Sequence, residues 1–171
     1  MGFETKVLSR RIQELMYDNQ ETLGTAESCT GGRIAEAIIA VPGASGYFKG
    51  GIISYTNEVK EKLLGVSHKV LAEQTAVCEE VAKQMVMGAC EALNCTYAIS
   101  ATGVAGPTGG TADIPVGTIW IGYGSKEDVR TFKLSEDLGR DMNLAVATTS
   151  ALQHFLKFLE ETHSVEPEPT I

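Results

Sequence analysis

"ETLGTAESCTGGRIAEAIIAVPG", residues 21–43, is the stretch on which the fold turns. Its first six residues make a short strand candidate that leads into Ser28. From about Gly31 to Ala40 isoleucine and alanine recur at helical spacing, Thr30 is placed to cap that helix, and Val41-Pro42-Gly43 stops it. The unit is a strand, a small polar turn and a helix.

The same alternation continues on both sides. Residues 4–17 carry Leu8, Ile12, Leu15 and Met16 at helical spacing with charges between them, an amphipathic helix. Downstream, "KGGIISYT" reads as a strand and "NEVKEKLLGV" as a short helix ending near Gly65. Residues 77–93 read as a long helix with Val81, Met85 and Ala89 or Cys90 on one side, and "TYAISATGV" as another strand. "AGPTGGTADIP" is too rich in Gly and Pro for regular structure. "VGTIWIGYG" and "VRTFKL" form paired strands around a turn at residues 125–128, and a last helix runs from about Arg140 to Glu161. Helices alternating with strands, then a hairpin, give a three-layer α/β/α fold with a mixed sheet. Residues 1–161 form one domain in this reading, and residues 162–171 a disordered tail.

Composition narrows the function. Fourteen basic against twenty-two acidic residues leave a net charge of −8, which opposes nonspecific nucleic-acid binding. No apolar run approaches the ~20 residues of a membrane span, and the amphipathic start lacks the features of a signal peptide. A cytoplasmic protein with no membrane partner is expected. Cys29, Cys78, Cys90 and Cys95 form no C-x-x-C pair, and His68, His154 and His163 are scattered, a pattern that argues against a metal enzyme.

Three polar segments fall where strands end, the place where ligands gather in such sheets. The first holds Ser28 and Cys29 at a helix entrance. Gly31 and Gly32 would there let backbone N–H groups approach an anion or a developing oxyanion. Cys29 is intrinsically the better nucleophile, and a helix N-terminus would lower its pKa. Neighbours at a strand end point in opposite directions, so one of the two should face the site. Read blandly, Ser28 is a loop serine at a helix start. The second segment, "SYTNEVKEK", offers Lys60 and Lys62. A desolvated lysine can lose its proton near neutral pH and activate a hydroxyl, whereas two lysines on an exposed helix are simply solvated. Tyr55 could orient groups or relay a proton, or only pack. The third, "ATGVAGPTGG", lacks both the G-x-G-x-x-G pattern and the lysine of a P-loop, but its glycines allow close backbone approach to a ligand.

In order and wording, "TAESCTGG", "GGIISYTNEVKEKLLGV" and "SATGVAGPTGG…PVGTIWIG" resemble the carboxy-terminal domain of the competence/damage-inducible protein CinA, from about residue 5 to 160. The amino-terminal molybdopterin-binding-like domain of two-domain CinA proteins has no counterpart here. Stand-alone members of the family are nicotinamide mononucleotide amidohydrolases. The resemblance implies hydrolysis of that carboxamide to nicotinate mononucleotide and ammonia, with no metal or other cofactor. It implies Ser28 as nucleophile, Lys60 as base and Tyr55 as the family tyrosine, leaving Cys29 a neighbour. Gly31 and Gly32 are the expected oxyanion donors. The loop from Thr102 to Gly110 (Thr102, Gly103, Ala105, Gly106, Gly109) and Arg140 are the candidates for the substrate and its phosphate. Here the chain departs from the family: it has "LGRD" in place of a "GDR"-like segment, and "MNLAVATTSAL" is apolar where relatives often carry further arginines. The resemblance also favours a homo-oligomer. The competing reading is a catalytically silent nucleotide-binding or interaction module on the same fold.

Overall fold

The structure, a computed structural model, describes residues 2–164. Helix α1 (Phe3–Asn19) buries Thr5, Ser9, Ile12 and Met16, one inward stripe at helical spacing. Strand β1 (Leu23–Glu27) is buried at every residue, because it lies inside a five-stranded sheet of order β2-β1-β3-β4-β5. Strand β2 (Phe48–Ile53) is one edge and alternates between half-buried and exposed. Strand β3 (Tyr97–Gly103) follows on the other side of β1, and β4 (Ile119–Gly124) and β5 (Val129–Leu134) complete the sheet. The β1–β2 and β1–β3 pairs are parallel, whereas β3–β4 and β4–β5 are antiparallel. The sheet is therefore mixed, as the strand and hairpin pattern implies.

Two helical layers cover it. On one face α1, α2 (Arg33–Ile39) and α6 (Arg140–His163) pack together over Ile99, Ile119 and Ile121. On the other, α5 (Glu79–Leu93) sets Val81, Met85, Val86 and Ala89 over Ala26 and Ala98, with α3 (Asn57–Leu64) and α4 (His68–Gln74) docked against it. Gly88 makes the α3–α5 contact possible. A Cβ there would stand 2.0 Å from the Leu64 carbonyl oxygen, so any side chain would drive α3 away.

The helical boundaries differ from the sequence reading in several places, these among them. Helix α4 fills a stretch to which the spacing assigned no element, and Ser67 caps it by accepting from the Val70 amide at 3.4 Å. Helix α5 begins at Glu79 rather than 77. Helix α6 runs through Thr162 and His163, two residues expected in a disordered tail, where His163 Nε2 lies 2.7 Å from Glu21 Oε1. Ser164 follows as the C-cap, its hydroxyl donating to Glu161 O at 2.9 Å, and residues 165–171 of that expected tail lie outside the described residues. No helix among the described residues is long and apolar enough to cross a membrane.

Register places the site. Glu27, the last residue of β1, pairs with Ile53 at the end of β2 and with Ala101 near the end of β3. The residues that follow therefore leave the sheet side by side at its carboxyl edge. Ser28 N–H donates to Ala101 O at 2.9 Å, and Ser54 N–H donates to Glu27 O at 2.8 Å.

Candidate active site

Helix α3 starts at Thr56, whose hydroxyl accepts from the Val59 amide at 3.3 Å, and ends on Gly65 in the left-handed region. Between these caps the helix buries one turn-to-turn pair, Lys60 and Leu64. Leu64 joins the apolar core under α5, and that docking carries Lys60 inward with it. Lys60 is only 2% exposed. Its Nζ lies 2.9 Å from Ser28 Oγ and donates to the Ser54 carbonyl at 2.8 Å. Lys62, expected as its equivalent from local pattern, is exposed. Burial pushes the Lys60 pKa down from its ordinary value, because desolvation penalises the ammonium form. Desolvated amine and hydroxyl thus meet directly, with Ser54 O fixing one N–H.

Around Ser28, the chain turns from β1 into α2 through Gly31 (φ 57°) and Gly32 (φ 103°), successive left-handed residues that only glycine adopts cheaply. The expected Thr30 cap is not formed. Gly32 occupies the N-cap position, and Thr30 donates its hydroxyl to Glu27 Oε1 at 2.8 Å. Glu27 itself serves the helix end: Oε1 accepts from Ile34 N–H at 2.8 Å and Oε2 from Ala35 N–H at 3.1 Å. The Gly31 amide donates to Ser28 O at 3.1 Å. Gly31 and Gly32 shape the turn and are absent from the cleft lining; the Gly31 amide is taken by Ser28 O, while the Gly32 amide has no protein acceptor among the described residues. An internal carboxylate already takes the Ile34 and Ala35 amides at this helix end.

Ser28 and Lys60 open onto a cleft of about 370 Å³. Cys29 lines it as well, although one of the two neighbours was expected to face away. They lie past the last residue of β1, so strand alternation no longer applies to them. Burial pushes the Cys29 thiol up to about 11, and this outweighs the lowering expected at a helix start. At neutral pH Cys29 is a thiol, a poor nucleophile beside a paired serine.

Thr102, Gly103, Ala105, Gly106, Gly109 and Arg140 all line the cleft, as does Tyr55. Their states differ. Thr102 is buried, and its hydroxyl donates to Ala76 O at 2.8 Å, which brings Ala76 and Val77 to the wall. Arg140 heads α6 and donates to Gly106 O at 2.8 Å, tying that helix to the glycine loop. Asn143 supports the same loop from one turn on, donating to Ala105 O at 3.1 Å. Among the described residues, no protein acceptor takes the amides of Gly106, Thr108, Gly109 and Gly110. Tyr55 is 64% exposed at the rim, and no hydrogen bond joins its hydroxyl to Ser28 or Lys60.

Four contributors escaped the sequence reading: Glu27, Ser54, Asn143 and the Ala76–Val77 wall. An acidic residue at a strand end directly before the serine is the one signal that local sequence offered for any of them.

With this geometry in hand, comparison with known proteins is direct. The profile of the CinA C-terminal domain matches residues 5–159. The chain belongs to the CinA C-terminal domain family. It is 43% identical over 134 residues to a CinA-like protein of Endomicrobium trichonymphae, covering 78% of this chain and 31% of that protein. It is 48% identical over 124 residues to a CinA-like protein of Leptospira borgpetersenii, covering 72% and 30%. The chain thus spans about a third of the length of these curated CinA relatives. Among solved structures, the competence/damage inducible protein CihA from Agrobacterium tumefaciens superposes with a TM-score of 0.89 at 33% identity, over 94% of this chain and 98% of that one. A CinA superfamily protein of Escherichia coli gives 0.87 at 32% identity, covering 90% of each. These likenesses establish the α/β fold as that of CinA domains.

Proposed function

We propose that this CinA domain hydrolyses the carboxamide of nicotinamide mononucleotide, releasing nicotinate mononucleotide and ammonia, with Ser28 as nucleophile and Lys60 as base. The observation that carries the reading is the buried 2.9 Å contact between Lys60 Nζ and Ser28 Oγ. Burial favours neutral Lys60, and in that form the Ser28 hydroxyl donates to the amine lone pair while Ser54 O holds an amine hydrogen.

The Ser28 proton passes to Lys60 as Oγ bonds to the amide carbon. Lys60 returns the proton to the departing nitrogen, which leaves as ammonia. Water, deprotonated by the same amine, then cleaves the acyl-serine ester. The Cys29 backbone amide, next to Ser28 on the cleft wall and without a protein acceptor among the described residues, supplies oxyanion stabilisation in this scheme, an effect worth ~3–4 kcal/mol per donor.

The cleft supports a mononucleotide in size, small-molecule sites typically running from about 300 to 1,000 Å³. Its lining offers two chemistries: Ser28 with Lys60 suits the amide, and the amides of Gly106, Thr108 and Gly109 with the Arg140 guanidinium suit a phosphate. The resemblance of the three motifs to the amidohydrolases supplies the identity of the ring. The deciding experiment incubates purified protein with nicotinamide mononucleotide and follows both products. Equimolar nicotinate mononucleotide and ammonia are expected, and binding without turnover would replace this reading with a nucleotide-binding module.

A further inference from the structure

Resting on the serine–lysine reading, we infer that Glu27 is the positioning residue that sets the reacting distance between Ser28 and Lys60. Glu27 is 1% exposed and is neither nucleophile nor base, yet it bonds both to the turn that follows Ser28 and to the Ser54 that holds Lys60. Its carboxylate takes Thr30 Oγ1–H and the Ile34 and Ala35 amides, which clamps both ends of the loop that carries Ser28 to the start of α2. Its carbonyl takes the Ser54 amide at 2.8 Å and the Ser54 hydroxyl at 3.4 Å. Ser54 in turn holds Lys60 Nζ through its own carbonyl. Ser28 is therefore one residue from Glu27 along the chain, and Lys60 is two hydrogen bonds from it through Ser54.

A buried carboxylate is costly unless its lone pairs are satisfied. Here two amides and a hydroxyl satisfy it without a cation, at a helix end whose dipole favours negative charge. Carboxylate geometry, rather than charge alone, is what the site uses. The Cβ–Cγ–Cδ reach from β1 to the amides of α2 needs the length of glutamate. Aspartate would keep the charge and lose the reach. Glutamine would keep the length and turn an amide donor toward a backbone donor.

Glu27→Gln and Glu27→Asp test this. Activity on nicotinamide mononucleotide is one readout. The other is the rate at which a fluorophosphonate labels Ser28, which reports serine activation whatever the natural substrate. Both variants should lose at least tenfold in kcat with KM within about twofold, and lose labelling rate in parallel, in protein whose folded fraction is matched by circular dichroism. Should either fail to fold, Thr30→Val, nearly the same shape as threonine, removes one of the three carboxylate contacts while leaving the two amides to hold the charge. It should then slow labelling severalfold.

Wild-type labelling rates in folded Glu27→Gln or in Thr30→Val would overturn the inference, and so would full activity in Glu27→Asp. Wild-type protein that labels readily but leaves nicotinamide mononucleotide untouched would reject the substrate while leaving this test of Glu27 standing. Wild-type protein that fails to label would remove the serine–lysine reading and this inference together.

Discussion

Replacing Lys60 by methionine separates the stability cost of a buried amine from its proposed service as a base. Methionine has similar reach and no charge, so it fills the space between Ser28 and Ser54 O. Two opposing effects on stability follow. The Ser54 carbonyl loses its Nζ–H donor, a buried acceptor left unpaired at ~1–3 kcal/mol. Against this, the variant escapes the penalty of a lysine whose folded pKa is depressed.

That penalty has a definite sign. Below the depressed folded pKa both states of the wild type bind the proton, and the folded state bears the whole desolvation cost. As pH rises from the folded pKa toward the ordinary 10.5, the unfolded chain still holds the proton and the folded protein does not, so wild-type stability rises. Near and above 10.5 the difference has gone. Each unit of depression is worth ~1.4 kcal/mol. At 2% exposure Lys60 receives little screening from solvent.

The orphaned carbonyl costs the same at every pH, so comparison across pH isolates the charge. Urea unfolding of wild type and Lys60→Met at pH 7 and pH 10 should show the variant relatively more stable at pH 7, by ~1.4 kcal/mol for each unit of depression expressed between the two. Turnover should fall by roughly 10²-fold or more at both, the scale of general-base catalysis. A stability difference identical at the two pH values would refute the reasoning. It would mean that Lys60 keeps an ordinary pKa and is an ammonium at neutral pH.

Other outcomes bear on the same site. Ser28→Ala should abolish turnover with ligand affinity and fold retained, while Cys29→Ala loses far less because that thiol stays protonated at neutral pH; the reverse ranking would move the nucleophile to Cys29. Lys60→Arg keeps the charge but cannot accept a proton, so kcat should drop by roughly 10²-fold or more, and a change confined to KM would remove Lys60 from the chemistry. Wild-type kcat should rise with pH through the depressed Lys60 pKa and then level, and a kcat that goes on rising until the ordinary lysine value of 10.5 would contradict a depressed base. Arg140→Ala should raise KM severalfold and leave kcat nearly unchanged if the guanidinium meets the phosphate; an unaltered KM would place that group elsewhere.

Much of the architecture was legible because it rests on local periodicity. The stripe of Ile12 and Met16, the strands read at 21–26 and 96–104 that form Leu23–Glu27 and Tyr97–Gly103, and the 129–134 strand of the hairpin each follow from local pattern within a few residues. Ser28, Lys60 and the glycine loop were found differently, through motif wording that resembles a family, and each falls on the one cleft where three strand ends meet.

Beyond that, local pattern fails for a physical reason. Lys60 and Lys62 read alike as solvated helix residues, and only docking of Leu64 under α5 makes one buried and the other exposed. The Cys29 pKa was expected to fall with the helix dipole, but desolvation, a property of the whole packed surround, raises it instead. Glu27 shows the limit most clearly. Nothing beside it in sequence says that its carboxylate reaches seven and eight residues ahead and takes the Ile34 and Ala35 amides at the start of α2. Spacing and composition determined which elements form and which residue types were available. Burial, register between strands and the pairing of each donor with one acceptor exist only in three dimensions, and these decided which serine meets which amine.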